Sequence, residues 1–115
     1  VDDDPATNRI HAIVLGAEPD MDVVGAASRA DEVLSAIEQF QPDVVLLDYI
    51  LRGARCEDLL REISAAHPSV RVIVVSGFEL RELPQELGTF GAAGFVTKGS
   101  DLPGFLADIR RAIQG

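Results

Sequence analysis

The chain has 115 residues, 47% hydrophobic and 25% charged, with a formal charge of −9. That length suits one domain with one core, and the acidic balance argues against a segment that grips a nucleic-acid backbone, which needs clustered Lys and Arg. No apolar stretch approaches a membrane span, so no membrane partner is expected; the single cysteine, Cys56, excludes an internal disulfide and a cysteine metal site and suits a reducing cytosol.

The chain opens on Val1-Asp2-Asp3-Asp4. Ile10, Ile13, Val14 and Ala17 then follow with helical spacing, yet Ile10 to Leu15 is β-branched enough for a strand, and periodicity leaves this segment open. After the turn-like Glu18-Pro19-Asp20, Val23 to Ala27 reads as a short strand. A helix is expected from about Ala30 to Phe40, with Val33, Leu34, Ile37 and Phe40 on roughly one face. Pro42 closes it and opens a run of four aliphatic residues, Val44 to Leu47, that ends on Asp48. Such a run reads as a strand buried on both faces. Beyond the loop Arg52-Gly53, a second helix carries Leu59, Leu60, Ile63 and Ala66 and stops at His67-Pro68.

Val70 to Val75 is the next apolar strand, with Ser76-Gly77 at its tip. A polar helix is expected from about Leu80 to Phe90, and Gly91-Ala92-Ala93-Gly94 leads into Phe95-Val96-Thr97, with Lys98 at the end. Asp101 is an N-cap candidate for a last helix bearing Leu102, Phe105, Leu106, Ile109 and Ile113 on one face, and Pro103 lies in the tolerant first turn.

Alternating strands and helices imply an α/β fold with a parallel sheet covered on both faces. Open sheets of this kind place their ligands at the carboxyl ends of the strands. Asp48, Ser76 and Lys98 all fall there. Clustered carboxylates repel unless solvated or neutralised by a cation, and Mg²⁺ takes oxygen ligands from one or two carboxylates while contacting phosphate. Asp2, Asp3 and Asp48 could supply such ligands. A lysine and a hydroxyl nearby would hold phosphoryl oxygens, and Asp48 could act as a nucleophile, forming an aspartyl phosphate. Taken singly, each residue has an ordinary role: a solvated acidic run or helix cap, a turn serine, a surface lysine. The argument lies in their joint placement at strand ends.

With those residues in view, the chain resembles the receiver domains of two-component response regulators, the CheY-like fold, and most closely the NarL/FixJ subfamily. Val1-Asp2-Asp3 is similar to the acidic end of the family's first strand, and Pro42 to Asp48 to its phosphoacceptor strand. Val74-Val75-Ser76-Gly77 and Gly91 to Lys98 match its Thr/Ser and lysine segments. The resemblance covers the whole chain, residues 1–115, and implies a flavodoxin-like, doubly wound, five-stranded parallel sheet of order 2-1-3-4-5. It makes Pro5 to Ala17 the first helix. It also implies that most of the first strand lies upstream of Val1 or is supplied by a neighbouring chain.

The resemblance further implies that Asp48 accepts a phosphoryl group from a phosphohistidine on a sensor histidine kinase. Asp3 would bind Mg²⁺ directly, Asp2 would help, and the backbone carbonyl of Ile50 would complete the protein ligands. Ser76 and Lys98 would bind the phosphoryl oxygens, and Phe95 stands at the aromatic switch position. Such a domain catalyses its own phosphorylation and is not a turnover enzyme. The resemblance also implies a cytoplasmic protein that forms a homodimer on phosphorylation and regulates transcription through a DNA-binding output domain outside this chain.

Three departures stand out. Arg52 replaces the proline usual after the phosphoacceptor, Arg55-Cys56 replaces a common Asp-Gly, and Gly99 follows Lys98 where many receivers have proline. Ile50 and Phe78 occupy the positions that flank an attacking water in receivers; both are apolar, so slow self-dephosphorylation is expected. Two other functions compete. A phosphorylation-independent interaction domain would commonly lack one of the five polar residues, and a Mg²⁺-dependent phosphohydrolase of the Asp-x-Asp form would need an acid at Ile50. No glycine-rich phosphate loop or dinucleotide fingerprint is present.

Overall fold

The computed structural model describes residues 1–77, 85–98 and 101–114. In chain order the elements are α1 (Pro5–Gly16), a single 3₁₀ turn (Ala30–Glu32), α2 (Val33–Phe40), β1 (Val44–Asp48), β2 (Ile50–Leu51), β3 (Ala54–Arg55), α3 (Cys56–Ala66), β4 (Arg71–Ser76), a second 3₁₀ turn (Gln85–Leu87), β5 (Ala92–Thr97) and α4 (Leu102–Gln114). β1, β4 and β5 form a parallel sheet in the order β1-β4-β5, and β2 and β3 form a small antiparallel hairpin. Asp48 lies opposite Val75, and Ser76 opposite Thr97, so the carboxyl ends of all three strands stand at one edge.

The central strand β4 is buried on both faces, as a strand with helices on either side should be, while β1 buries Val45 and Leu47 and leaves Val44 and Leu46 half-buried. Val45, Leu47, Val72 and Val74 pack with Val33 and Ile37 of α2 and Leu59, Leu60 and Ile63 of α3. Ile73, Val75 and Val96 face the other way, onto Phe105 and Ile109 of α4. The approach of α4 to β5 is close: a Cβ built on Gly94 would lie 2.6 Å from the Ala112 methyl. The cap expected at Asp101 is present, its Oδ1 accepting from the Gly104 amide at 2.8 Å. Asp4 caps α1, accepting from the Ala6 amide at 3.1 Å, with Pro5 as the first helical residue.

Two expectations are corrected. Residues 23–27 form no strand and belong to no ladder among the described residues. A strand needs a neighbour, and among the described residues it is Val1 and Asp2 that bond to this segment and to β1. The Val1 nitrogen donates to the Leu46 carbonyl (2.7 Å), the Asp48 amide donates to the Val1 carbonyl (3.0 Å), and the Asp2 amide donates to the Ala27 carbonyl (3.3 Å). Behind this two-residue stub lies a groove of about 500 Å³, walled by His11, Ala12 and Leu15 of α1, by Val23 and Val24, and by Leu46 of β1. The second correction concerns the polar helix expected over residues 80–90. Its described part is the 3₁₀ turn and a following turn to Phe90, anchored by the fully buried Leu87; the earlier part lies outside the described residues. Among the described residues no helix is long and apolar enough to cross a membrane.

Candidate functional site

The carboxyl edge of the sheet gathers the polar residues singled out from the sequence. Asp48 ends β1, Ser76 ends β4 and Lys98 follows β5, while the Val1–Asp2 stub carries its carboxylate to the same edge. Asp2 is 4% exposed and Asp48 7%. Burial at that level demands compensation, and Lys98 provides it. Its Nζ donates to Oδ2 of Asp2 at 2.7 Å and to Oδ2 of Asp48 at 3.0 Å. The second oxygen of each acid accepts from a main-chain amide: Asp4 to Asp2 Oδ1 at 3.0 Å, and Ile50 to Asp48 Oδ1 at 3.3 Å.

These contacts set the proton affinities in opposite directions. Burial pushes the Asp48 carboxyl above the usual range, and the Lys98 contact only partly offsets it. For Asp2, burial also pushes upward, but the Lys98 and Asp4 hydrogen bonds outweigh it and the net shift is downward. Burial would lower the Lys98 ammonium, yet its bonds to Asp2 and Asp48 hold it above its ordinary value. Two acids and one shared lysine therefore leave a site short of positive charge.

Asp3 is the third acid. One carboxylate oxygen from each of Asp2, Asp3 and Asp48 lies within 4.8 Å of the others. A set of oxygen donors alone, two of them buried, fits a hard dication such as Mg²⁺. The Ile50 main chain sits beside this set through its amide bond to Asp48, and its side chain is 56% exposed at the rim. Ser76 is buried, its carbonyl accepting from the Lys98 amide at 2.8 Å, which ties the tips of β4 and β5 together. Phe95 is half-buried in β5 and packs on the α2–α3 side of the sheet. Phe78 lies outside the described residues.

Sequence reasoning passed over one positioning residue. Asn8 of α1 donates from Nδ2 to the carbonyls of both Asp2 (2.9 Å) and Ala27 (3.0 Å), fixing the acidic stub from behind. The available signal was an amide on the same helical face as His11, Ala12 and Leu15.

The fold has counterparts among known proteins. The receiver domain of the response regulator NarL from Mycobacterium tuberculosis superposes with a TM-score of 0.86 at 25% identity, over 99% of this chain and 92% of that one. The response regulator domain of CheB from Thermotoga maritima gives 0.84 at 28% identity, over 99% and 92%. In sequence, the DNA-binding transcriptional activator DevR/DosR of Mycobacterium tuberculosis is 30% identical over 114 residues, which is 99% of this chain and 51% of that protein. The response regulator GacA of Pseudomonas viridiflava is 34% identical over 95 residues, 83% of this chain and 44% of GacA. The chain thus spans about half the length of these curated relatives. A family model described as the response regulator receiver domain matches residues 1–110. The chain belongs to that family, and is a receiver domain of two-component response regulators.

Proposed function

We propose that Asp48 is the phosphoacceptor of this receiver and that the domain catalyses its own phosphorylation. The observation that carries this reading is the convergence of Asp48, Asp2, Ser76 and Lys98 on one sheet edge, with Lys98 bridging the two buried acids. A carboxylate oxygen of Asp48 attacks the phosphorus of a phosphohistidine on a sensor histidine kinase. The O–P bond forms as the P–N bond breaks, and the leaving imidazole takes up a proton. Lys98 balances charge on the transferring oxygens, and the Ser76 hydroxyl donates to one of them. Mg²⁺ held by Asp2, Asp3, Asp48 and the Ile50 carbonyl would supply the remaining positive charge. The phosphorylated Asp48 draws Ser76 inward and Phe95 follows, remodelling the face of β5 and α4. That face would serve a homodimer or an output contact.

The full protein is proposed to be a cytoplasmic transcription regulator with a DNA-binding domain outside this chain, in line with the name and greater length of the DevR/DosR relative. The decisive measurement is intact mass after incubation with acetyl phosphate and Mg²⁺. The wild-type chain should gain one phosphate, and Asp48→Asn none. A modification that persists in the mutant, or none in either protein, sinks the reading. The same sample tests persistence. The apolar Ile50 at the rim cannot orient a water, so the phosphoryl group should outlast a seconds timescale at neutral pH; decay within seconds counts against that role for Ile50 and Phe78.

A further inference from the structure

The β2–β3 hairpin brings to the acidic cluster a cation that the phosphoryl chemistry above does not use. Ile50 pairs with Arg55 and Leu51 with Ala54, which leaves Arg52 and Gly53 as a two-residue turn. Gly53 has φ of +93°, a conformation that L side chains resist, so Arg52 is the one side chain this turn presents. Its Nε lies 3.6 Å from Oδ2 of Asp3. Lys98 is committed to Asp2 and Asp48, and the two cations thus divide the three acids between them.

The two attachments differ in kind. Lys98 is largely enclosed, whereas the Arg52 side chain is 94% exposed and its contact with Asp3 is long. Arg52 and Asp3 both line an open cleft of about 530 Å³, which they share with Ser28, Arg29, Asp31 and Gly53. Arg29, the other cation of that cleft, is occupied by a two-pronged contact with Asp31 at 3.1 and 3.2 Å. A guanidinium so placed can turn from Asp3 into the open part of the cleft without breaking anything buried.

We propose that Arg52 competes with the divalent cation for Asp3: it neutralises that carboxylate while the metal is absent and swings into the cleft when the metal arrives. Arg52 is then a positioning residue that weakens metal affinity and raises the metal concentration at which the site becomes ready for phosphoryl transfer. This rests on the reading of Asp2, Asp3 and Asp48 as the metal site. An exposed ion pair is weak and salt-sensitive, which fixes the size of the effect at about two- to fivefold in affinity.

Calorimetric titration of Mg²⁺ into the whole chain tests it, using wild type, Arg52→Ala, Arg52→Lys and Arg29→Ala at low salt and at about 0.5 M NaCl, where the Debye length is only several ångströms. Arg52→Ala should bind Mg²⁺ about two- to fivefold more tightly than wild type at low salt. Arg52→Lys should fall between them, Arg29→Ala should match wild type, and the differences should close at high salt. Equal tightening by Arg52→Ala and Arg29→Ala would mean that net charge alone acts, and would overturn the proposal. So would unchanged or weaker binding by Arg52→Ala. Absence of Mg²⁺ binding in every protein is a separate result: it overturns the metal-site reading, and the competition with it.

Discussion

Lys98 is the residue on which the site's electrostatics turn, because among the described residues it is the side-chain cation in contact with two nearly buried carboxylates. Removing one partner of such a group leaves uncompensated charge behind. Lys98→Met should therefore cost about 2 kcal/mol in urea unfolding without Mg²⁺ at neutral pH, somewhat below the fully buried case because Lys98 keeps 30% side-chain exposure. Asp48 has the opposite sign. Its carboxyl is raised by burial, so the folded state binds that proton more tightly than the unfolded chain does. Near neutral pH the ionised group opposes folding, and the penalty fades as pH falls through its raised pKa. Asp48→Asn should raise the melting temperature of the metal-free domain at neutral pH by a few degrees, the size of shift about 1 kcal/mol gives in a domain this small. Melts recorded in EDTA over a pH series should show that gain shrinking toward acid pH. Asp2 and Lys98 behave differently. The stability contributed by Asp2, whose pKa is lowered, is present above its unfolded value and lost as pH falls through the folded one; that of Lys98, whose pKa is raised, is present below its unfolded value and lost as pH rises through the folded one.

At the scale of elements, the segments that a sequence reveals are those whose pattern and surroundings agree. Val44 to Asp48 was legible because four consecutive aliphatics suit only a strand covered on both sides, and both layers exist. The amphipathic face of α4 was legible for the same reason, with Phe105, Leu106 and Ile109 buried as spaced. Helix α1 resisted because its apolar residues do not report burial. Ile10 is 59% and Ile13 73% exposed, and no residue of the helix is buried. Arg52 was noticed as a departure in a loop, but its proximity to Asp3 depends on a two-residue turn that no periodicity announces. Asn8 went unseen because its role lies in two carbonyls distant in sequence. Asn8→Ala would take this donor from the Asp2 carbonyl, leave the Ala27 carbonyl with the Asp2 amide, and loosen the stub that carries Asp2. It should cost about 1–3 kcal/mol in chemical denaturation, more than the roughly 1 kcal/mol expected for removing the exposed α1 cap with Asp4→Ala.

The whole molecule shows why the first strand was the hardest part to place. Two packed layers close around β1, β4 and β5, and on the outer side of β1 the described residues that bond to it or sit against it are Val1 and Asp2. Val44 and Leu46 remain half-buried where Val45 and Leu47 are buried, and Val23 and Val24 stay 39% and 43% exposed across the groove. Apolar side chains line both sides of the groove, and the Val1 hydrogen bonds to Leu46 and Asp48 run parallel to β1. Appending five β-branched or aliphatic residues ahead of Val1 should therefore fill the groove and pair residues 23–27 into the sheet. Each fully buried aliphatic side chain contributes about 1.5–3 kcal/mol, against about 1–2 kcal/mol of backbone entropy per ordered residue, so hydrogen bonding to both neighbours decides the margin. The extended chain should unfold at higher urea concentration, with a larger m-value because more surface is exposed on unfolding, and the amides of residues 23–27 should gain protection from hydrogen exchange. An appended Gly/Ser segment of equal length supplies the control. If both extensions behave alike, the groove is not a strand site.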